Sequence, residues 1–427
     1  MRYQAINPEL FIHNRNKLEK MLKPGALAII MSNDEMPRNG DQCFPFRQNS
    51  DMFYLSGLDQ EKTILTLFPN HPVAALREIA FIVKTNEHMV TWYGHKYTLE
   101  QAAQVSGIKT IKWLDDFDAV FRDLMARANV VYLNQNENPR FTTEIVSADL
   151  RLARTLRQDY PLQHFERLAP LLTELRLVKE PEEIELMQKA CNITGDAFKR
   201  VLKFLKPGVM EYEVEAEITH EFIRRGAGGH AYPPIVASGA DNCILHYNNN
   251  DKMCQSGDLL LLDFGAEYAN YAADCSRTIP VNGKFTPRQR QVYEAVLRIL
   301  RQASLMLLPG TTIDKYHAEV CRLMEAELIG LGLFTQADVD AQDPENPLFF
   351  KYYMHGTSHF MGLDVHDVGS KQHPLQKGMV LSCEPGIYIA EEGFGIRLEN
   401  DIMVDDEPVD LMAHIPIEVD EIEKLMK

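Results

Sequence analysis

Leu259-Leu-Leu-Leu-Asp-Phe-Gly265 is an apolar run carrying one acid, and a second apolar stretch with its own acid follows closely, Tyr271-Ala-Ala-Asp-Cys-Ser-Arg-Thr-Ile279. Runs this short, bounded by turn residues, read as buried strands. Asp263 and Asp274 are placed symmetrically about a turn near residues 268 and 269. In an antiparallel hairpin they become cross-strand neighbours, ~4.5 to 5.5 Å apart at Cβ, where like charges repel unless a cation joins them. Glu384 and Glu399 repeat the arrangement around Glu391-Glu-Gly-Phe394. Two hairpins are expected to present two acid pairs.

Working outward, the next chemistry-bearing residues are histidines. His355 and His359 stand four apart, a spacing that on a helix would suit paired zinc ligands, but Gly356 and Gly362 weaken a helix and no Glu follows His355. Residues four apart on an extended strand also share a face. His359 is therefore read as a ligand. His355 is placed beside the metals, where an imidazole can hydrogen-bond substrate or a developing oxyanion. His366 and His246 are further polar candidates for the cleft.

The set Asp263, Asp274, His359, Glu384 and Glu399 has an electrostatic logic that its members lack singly. A lone buried carboxylate takes up a proton or is costly to desolvate, so converging carboxylates require positive charge among them. Two divalent cations neutralise four carboxylates and leave a site able to hold and acidify a water. Oxygen ligands with a single His favour Mn²⁺, Mg²⁺ or Co²⁺ over a thiolate-type zinc site, and manganese is the expected ion.

At 427 residues the chain is longer than one core usually supports, and hydrophobic residues at 45% supply enough for packed domains. A net charge of −17 argues against nucleic acid as a partner, because phosphate contacts need clustered Lys and Arg. Neither a cleaved secretion signal at the N-terminus nor an apolar stretch of the ~20 residues a membrane helix needs is present, so no membrane partner is expected. Cys43, Cys191, Cys243, Cys254, Cys275, Cys321 and Cys383 form an odd, scattered set with no C-x-x-C pair, as in a cytoplasmic protein with reduced core thiols.

The first 172 residues read as mixed α/β: the apolar runs Ala26–Met31, Thr63–Phe68 and Glu78–Val83 alternate with helical stretches such as Pro8–Leu22. A boundary is expected within Leu175–Ile184, giving domains 1–172 and 173–427, with a long helix from Pro181 that stops at Lys206-Pro207-Gly208. A second helix is expected over Glu211–Arg225. The same unit recurs as Pro287–Leu307 ending at Leu308-Pro309-Gly310, then Ile313–Gly330, each pair preceding strand-like segments. Two structurally related halves with a site in the cleft between them are expected, and 330–347 reads as a surface loop.

Taken together, Asp263, Asp274, His355-Gly-Thr-Ser-His-Phe-Met-Gly-Leu-Asp-Val-His-Asp367, Glu384-Pro-Gly-Ile-Tyr388 and Gly395-Ile-Arg-Leu-Glu-Asn-Asp401 resemble the metal-site motifs of the M24 metallopeptidases, the pita-bread fold. Within that family the chain is most similar to the aminopeptidase P group, the Xaa-Pro aminopeptidases. Phe46-Arg-Gln-Asn-Ser-Asp-Met-Phe-Tyr-Leu-Ser-Gly57 is similar to that group's N-terminal signature, and residues 175–194 to the start of its catalytic domain. The resemblance implies an N-terminal α/β domain before a pita-bread domain with two pseudo-symmetric halves.

It also implies dinuclear metal ligation by Asp263, Asp274, His359, Glu384 and Glu399, and substrate contacts from His246, His355 and His366. Arg397 falls near the proline side of the cleft, and Asp41 and Trp92 match positions that help close the site, in some members across a subunit contact. The implied substrates are peptides with proline second, Glu384 acting as proton shuttle to the departing proline nitrogen, and the implied assembly is a homo-oligomer, a dimer or tetramer. The connection between Glu384 and Glu399 is shorter than in some members, which leaves the rim of the leaving-group pocket open. A proline dipeptidase would share every ligand, and a catalytically silent binding protein on the same fold would lack one or more of them. A metal-free amidinohydrolase of the creatinase type is disfavoured on the same ground.

Overall fold

The computed structural model describes residues 2–427. It divides into two compact units, Gln4–Arg176 and a larger one made of Leu177–Lys427 with Arg2 and Tyr3. The sequence puts the boundary at 172/173, but helix Ala169–Leu177 runs through that point without a breaker after Pro170, and the units part near its last residue.

The N-terminal unit is built on a six-stranded mixed sheet in the order Thr110–Trp113, Glu78–Ile82, Ile64–Leu67, Ala26–Met31, Val130–Leu133, Phe165–Arg167. Ala26–Met31 is antiparallel to Ile64–Leu67 and parallel to Val130–Leu133, which explains why its sequence is apolar without alternation. Leu27 and Ile29 pack with Ile79, Phe81 and Val131. Helix Pro8–Met21 is capped by Asn7 and buries Leu10, Phe11 and Leu18.

The C-terminal unit contains two similar halves. In the first, the backbone N–H of Glu180 donates to Glu183 at 2.9 Å and caps helix Pro181–Phe204, which is followed by helix Glu211–Arg224. An antiparallel sheet then runs in the order Ile235–Ser238, Leu259–Phe264, Cys275–Pro280. In the second half, helices Pro287–Ser304 and Ile313–Gly330 precede a sheet of Val380–Cys383, Asn400–Met403 and Val409–Asp410, with a two-stranded ribbon Gly386–Ile389 and Phe394–Arg397. Residues 330–347 are not all loop: Thr335 caps a short helix over Gln336–Asp340.

The halves are joined along Cys275–Pro280. Glu399 N–H donates to the Ser276 carbonyl at 3.1 Å, and the Arg277 guanidinium donates to the Glu399 carbonyl at 2.7 Å. Arg277 is wholly buried, and it also reaches the carbonyls of Ser276 and Pro416 and the Asn400 side chain. Buried charge of this kind persists only when its donors are satisfied.

The two acid hairpins differ from expectation in one respect. Asp263 faces Ser276, not Asp274, and Phe264 faces Cys275. The turn is Ala269-Asn270, both residues at positive φ (51° and 66°), one position later than the symmetric reading requires. Moving the turn by one residue moves the register by two, so Asp274 lies diagonal to Asp263, across from Gly265. Gly265 is required there because a Cβ would stand 1.7 Å from the Ala273 carbonyl oxygen. The glutamate hairpin matches the reading: Cys383 faces Asn400 and Gly386 faces Arg397, so one register places Glu384 opposite Glu399 where the ladder is interrupted.

Candidate metal centre

Residues 353–360 form neither a helix nor a regular strand. The segment is nevertheless laid along Val380–Cys383: Glu384 N–H donates to Thr357 O and Ser382 N–H to His359 O, each at 3.0 Å, and Phe360 bridges Leu381. Ser382 Oγ accepts from the His359 N–H at 3.0 Å. The His359 side chain is thereby aimed at the acids. Its Nε2 lies 3.4 Å from Asp274 Oδ2 and 3.7 Å from Glu384 Oε1, while Nδ1 faces the Phe360 carbonyl at 3.1 Å. One ligand atom each from Asp274, His359 and Glu399 falls within 4.8 Å of the others.

Asp263 completes the acid set through different partners. Arg397 Nη2 donates to Asp263 Oδ2 at 2.6 Å, Nε to Ser276 Oγ at 2.9 Å and Nη1 to the Tyr388 hydroxyl at 2.9 Å. Ser276 Oγ donates to Glu399 Oε2 at 2.7 Å. Tyr388 approaches His355 Nε2 at 2.8 Å, and His355 Nδ1 lies 2.8 Å from the Gly356 carbonyl. A carbonyl only accepts, so Nδ1 carries the proton and Nε2 accepts from Tyr388. His366 is exposed, with its ring edge-on to His359 at 4.4 Å between centroids.

The carboxylates outnumber their cations. Tyr232 Oη reaches both Asp263 and Asp274 with a single proton to give. Burial, reinforced by neighbouring acids, raises the pKa of Asp274 and lifts Glu399 well above the usual range. Glu384 is pushed up to about 7 by burial, against the pull of His359. Burial presses the His359 imidazole downward, but Asp274 and Glu384 overcome it and raise the ring to about 9. His355 is lowered to about 3 by burial and then by Arg397. A cluster in which acids hold on to protons and a histidine is charged is starved of positive charge. The donor set of carboxylates and one imidazole fits hard divalent cations.

The structure thus brings Asp263, Asp274, His355, His359, His366, Glu384, Arg397 and Glu399 to one place. The other three candidates are exposed surface residues. His246 is exposed on the segment after the turn Gly239–Cys243, Asp41 is exposed between short strands of the N-terminal unit, and Trp92 is 71% exposed on helix Glu87–Tyr93. Tyr232, Tyr388, Ser276 and Ser382 escaped the sequence reading. Tyr388 closes the motif Glu384-Pro-Gly-Ile-Tyr388 and was visible there; the two serines are ordinary strand residues whose role exists only through register.

With this geometry in place, the comparisons with known proteins are specific. The model of Metallopeptidase family M24 matches residues 185–406, and that of the Aminopeptidase P, N-terminal domain, matches residues 11–132. The Xaa-Pro aminopeptidase of Escherichia coli K12 is 36% identical over 444 residues, covering 99% of this chain and 98% of its own. That of Haemophilus influenzae is 35% identical over 438 residues, covering 99% of both. Zinc-substituted E. coli aminopeptidase P in complex with product superposes with a TM-score of 0.88 at 33% identity, covering 99% of both chains. The mixed α/β architecture is an aminopeptidase P-type N-terminal domain followed by a pita-bread catalytic domain. Among the described residues no helix is long and apolar enough to cross a membrane. The chain belongs to metallopeptidase family M24 and is similar along its whole length to the Xaa-Pro aminopeptidases.

Proposed function

We propose that this chain is an Xaa-Pro aminopeptidase, releasing the N-terminal residue from peptides with proline in the second position. The observation that carries the reading is the convergence of Asp274, His359 and Glu399, in a cluster with excess buried negative charge, on a chain matched end to end by such enzymes. The proposed ligands are Asp263, Asp274, His359, Glu384 and Glu399, holding two divalent ions per subunit, with manganese as the ion assigned. Bound there, such ions supply Lewis acidity towards a peptide carbonyl and lower the pKa of a water.

The chain's own groups do the rest. Glu384, beside His359 and within reach of His355, takes the proton from the attacking water and passes it to the departing proline nitrogen. That nitrogen has no hydrogen of its own in the imide, so cleavage depends on this delivery, and selectivity rests on the shape around the ring. His366 beside His359 donates to the carbonyl oxygen as charge develops on it. His355, neutral, gives its Nδ1 proton to the Gly356 carbonyl and accepts from Tyr388 at Nε2, so its place on the substrate side is to orient the Tyr388 hydroxyl. Arg397 pins Asp263 and Tyr388 and sets the proline side of the site. His246, Asp41 and Trp92 are kept as substrate-side residues on the resemblance alone. A homo-oligomer, dimer or tetramer, in the cytoplasm is proposed. All seven cysteines are free thiols, which supports a reducing compartment.

The test is reconstitution with Mn²⁺, Co²⁺ and Zn²⁺ separately, elemental analysis, and assay of Xaa-Pro peptides of graded length beside Gly-Pro. About two ions per subunit, with turnover of tripeptides and longer chains, are expected. Turnover confined to the dipeptide would replace the reading with a proline dipeptidase. Failure to take up metal would make the chain a binding protein.

A further inference from the structure

The residue after His366 takes part in an ion pair that the mechanism does not use. Lys179 Nζ and Asp367 Oδ2 are 3.3 Å apart, and both side chains are only 1% exposed. Lys179 immediately precedes the capped start of helix Pro181–Phe204. Its backbone N–H donates to the Gly378 carbonyl at 2.9 Å, and its ammonium also lies 3.5 Å from the Leu177 carbonyl. The lysine is fixed to the framework at both ends.

Asp367 belongs to a closed loop. Its N–H donates to Phe360 O at 2.9 Å, Gly362 N–H to Asp364 O at 3.2 Å, and Ala272 N–H to Gly362 O at 2.9 Å, tying the loop to the aspartate hairpin. Gly362 crosses directly over the ion pair. A Cβ there would fall 2.2 Å from Asp367 Oδ2 and 3.0 Å from Lys179 Nζ. The residue before Asp367 is His366, whose ring rests against His359.

Burying a full ion pair is an expensive way to hold a loop, since apolar side chains of similar volume are often equal or better for stability. What an ammonium adds is direction: it attracts one carboxylate to one place. We propose that the Lys179–Asp367 pair is a positioning device for His366, setting the Phe360–Asp367 loop so that the imidazole is held against His359 and the substrate carbonyl. The proposal rests on the reading of His366 as a substrate-contacting group.

The experiment uses the full chain loaded with Mn²⁺ and an Xaa-Pro tripeptide. Lys179→Met should lower kcat by about 10- to 100-fold with little change in KM or metal content, as misplacement of a reacting group does. In a His366→Ala background the same substitution should cost nothing further, because the residue it positions is gone. Hydrogen exchange should show lost protection in peptides spanning 360–367 and not elsewhere. The paired variant Lys179→Met with Asp367→Leu, which removes both charges of the pair together, guards against a mere folding defect. It should be at least as stable as the parent and still slow. Additive losses of Lys179→Met and His366→Ala, unchanged exchange over 360–367, or parental kcat in the paired variant would each overturn the proposal. Should the parent cleave no Xaa-Pro peptide, the proposed function falls, and the exchange measurement alone still decides whether the pair orders the loop.

Discussion

The aspartate hairpin and the glutamate hairpin bring two acids each to the same centre by different means. In the glutamate hairpin the acids face one another in a gap of a single register, Cys383 opposite Asn400 on one side and Gly386 opposite Arg397 on the other. In the aspartate hairpin a late turn at Ala269-Asn270 sets them on a diagonal, and Ser276 takes the place opposite Asp263. That displacement frees Ser276 to hold both Glu399 and Arg397. A register offset, which costs one direct acid pair, gives the first half a handle on the second.

If both hairpins feed one centre, removing an acid from either should be equally damaging, and this is the largest effect expected. Asp274→Asn and Glu399→Gln should each lower kcat/KM by about 10³-fold or more and lose bound metal, as read by kinetics and elemental analysis. Retention of metal and activity by one of the two would break the equivalence. The serines sharpen the contrast. Ser276→Ala, which removes contacts to Glu399 and Arg397, should weaken metal binding by about 10- to 100-fold, and Ser382→Ala, which touches only Glu384 and the His359 backbone, should sit at the lower end. Titration with a competing chelator measures both.

The next effect is on stability. In metal-stripped protein His359 is raised from 6.5 to about 9, so its contribution is fully present below the unfolded value and is lost as pH rises towards 9. Glu384, raised to about 7, acts in the same direction below that pH. His355, lowered to about 3, opposes them only below 6.5, where the unfolded ring gains a proton that the folded ring refuses. Between pH 7 and 9 the stripped protein should therefore lose stability, on the order of 1 to 3 kcal/mol, and Mn²⁺ loading should flatten the dependence. Denaturant titrations at several pH values with and without metal test this, and equal slopes would show that the charge deficit lies elsewhere.

The smallest effect separates the two turns. The glutamate hairpin turns through Gly393 at φ 72° with open space around it, so Gly393→Ala should cost about 1 kcal/mol from backbone strain alone and leave metal binding unchanged.

These turns also explain what the sequence could and could not reveal. Glu391-Glu-Gly-Phe394 contains a glycine where the backbone needs one, and the symmetric reading of Glu384 and Glu399 agrees with the register found. Ala269-Asn270 carries no glycine, an alanine at positive φ being a position that local propensity does not advertise, and there the reading slipped by two residues. Helix limits were legible because Pro181, Pro287 and the Pro-Gly pairs punctuate them. The strand order of the N-terminal sheet was not, since it is settled by pairings between segments such as Ala26–Met31 and Val130–Leu133 that no local pattern encodes. Tyr232, at the junction of two carboxylates, and the Lys179–Asp367 pair are similarly products of tertiary proximity.

The seam at which Glu399 N–H meets Ser276 O has a consequence for biosynthesis. The proposed ligands lie so far apart along the chain that they are expected to come together only after the second half has docked, which makes the centre a high-contact-order feature and a late event in folding. A growing polypeptide lacks the full set of proposed ligands until residues beyond Glu399 have left the ribosome, so fragments ending before it are expected to bind no metal pair.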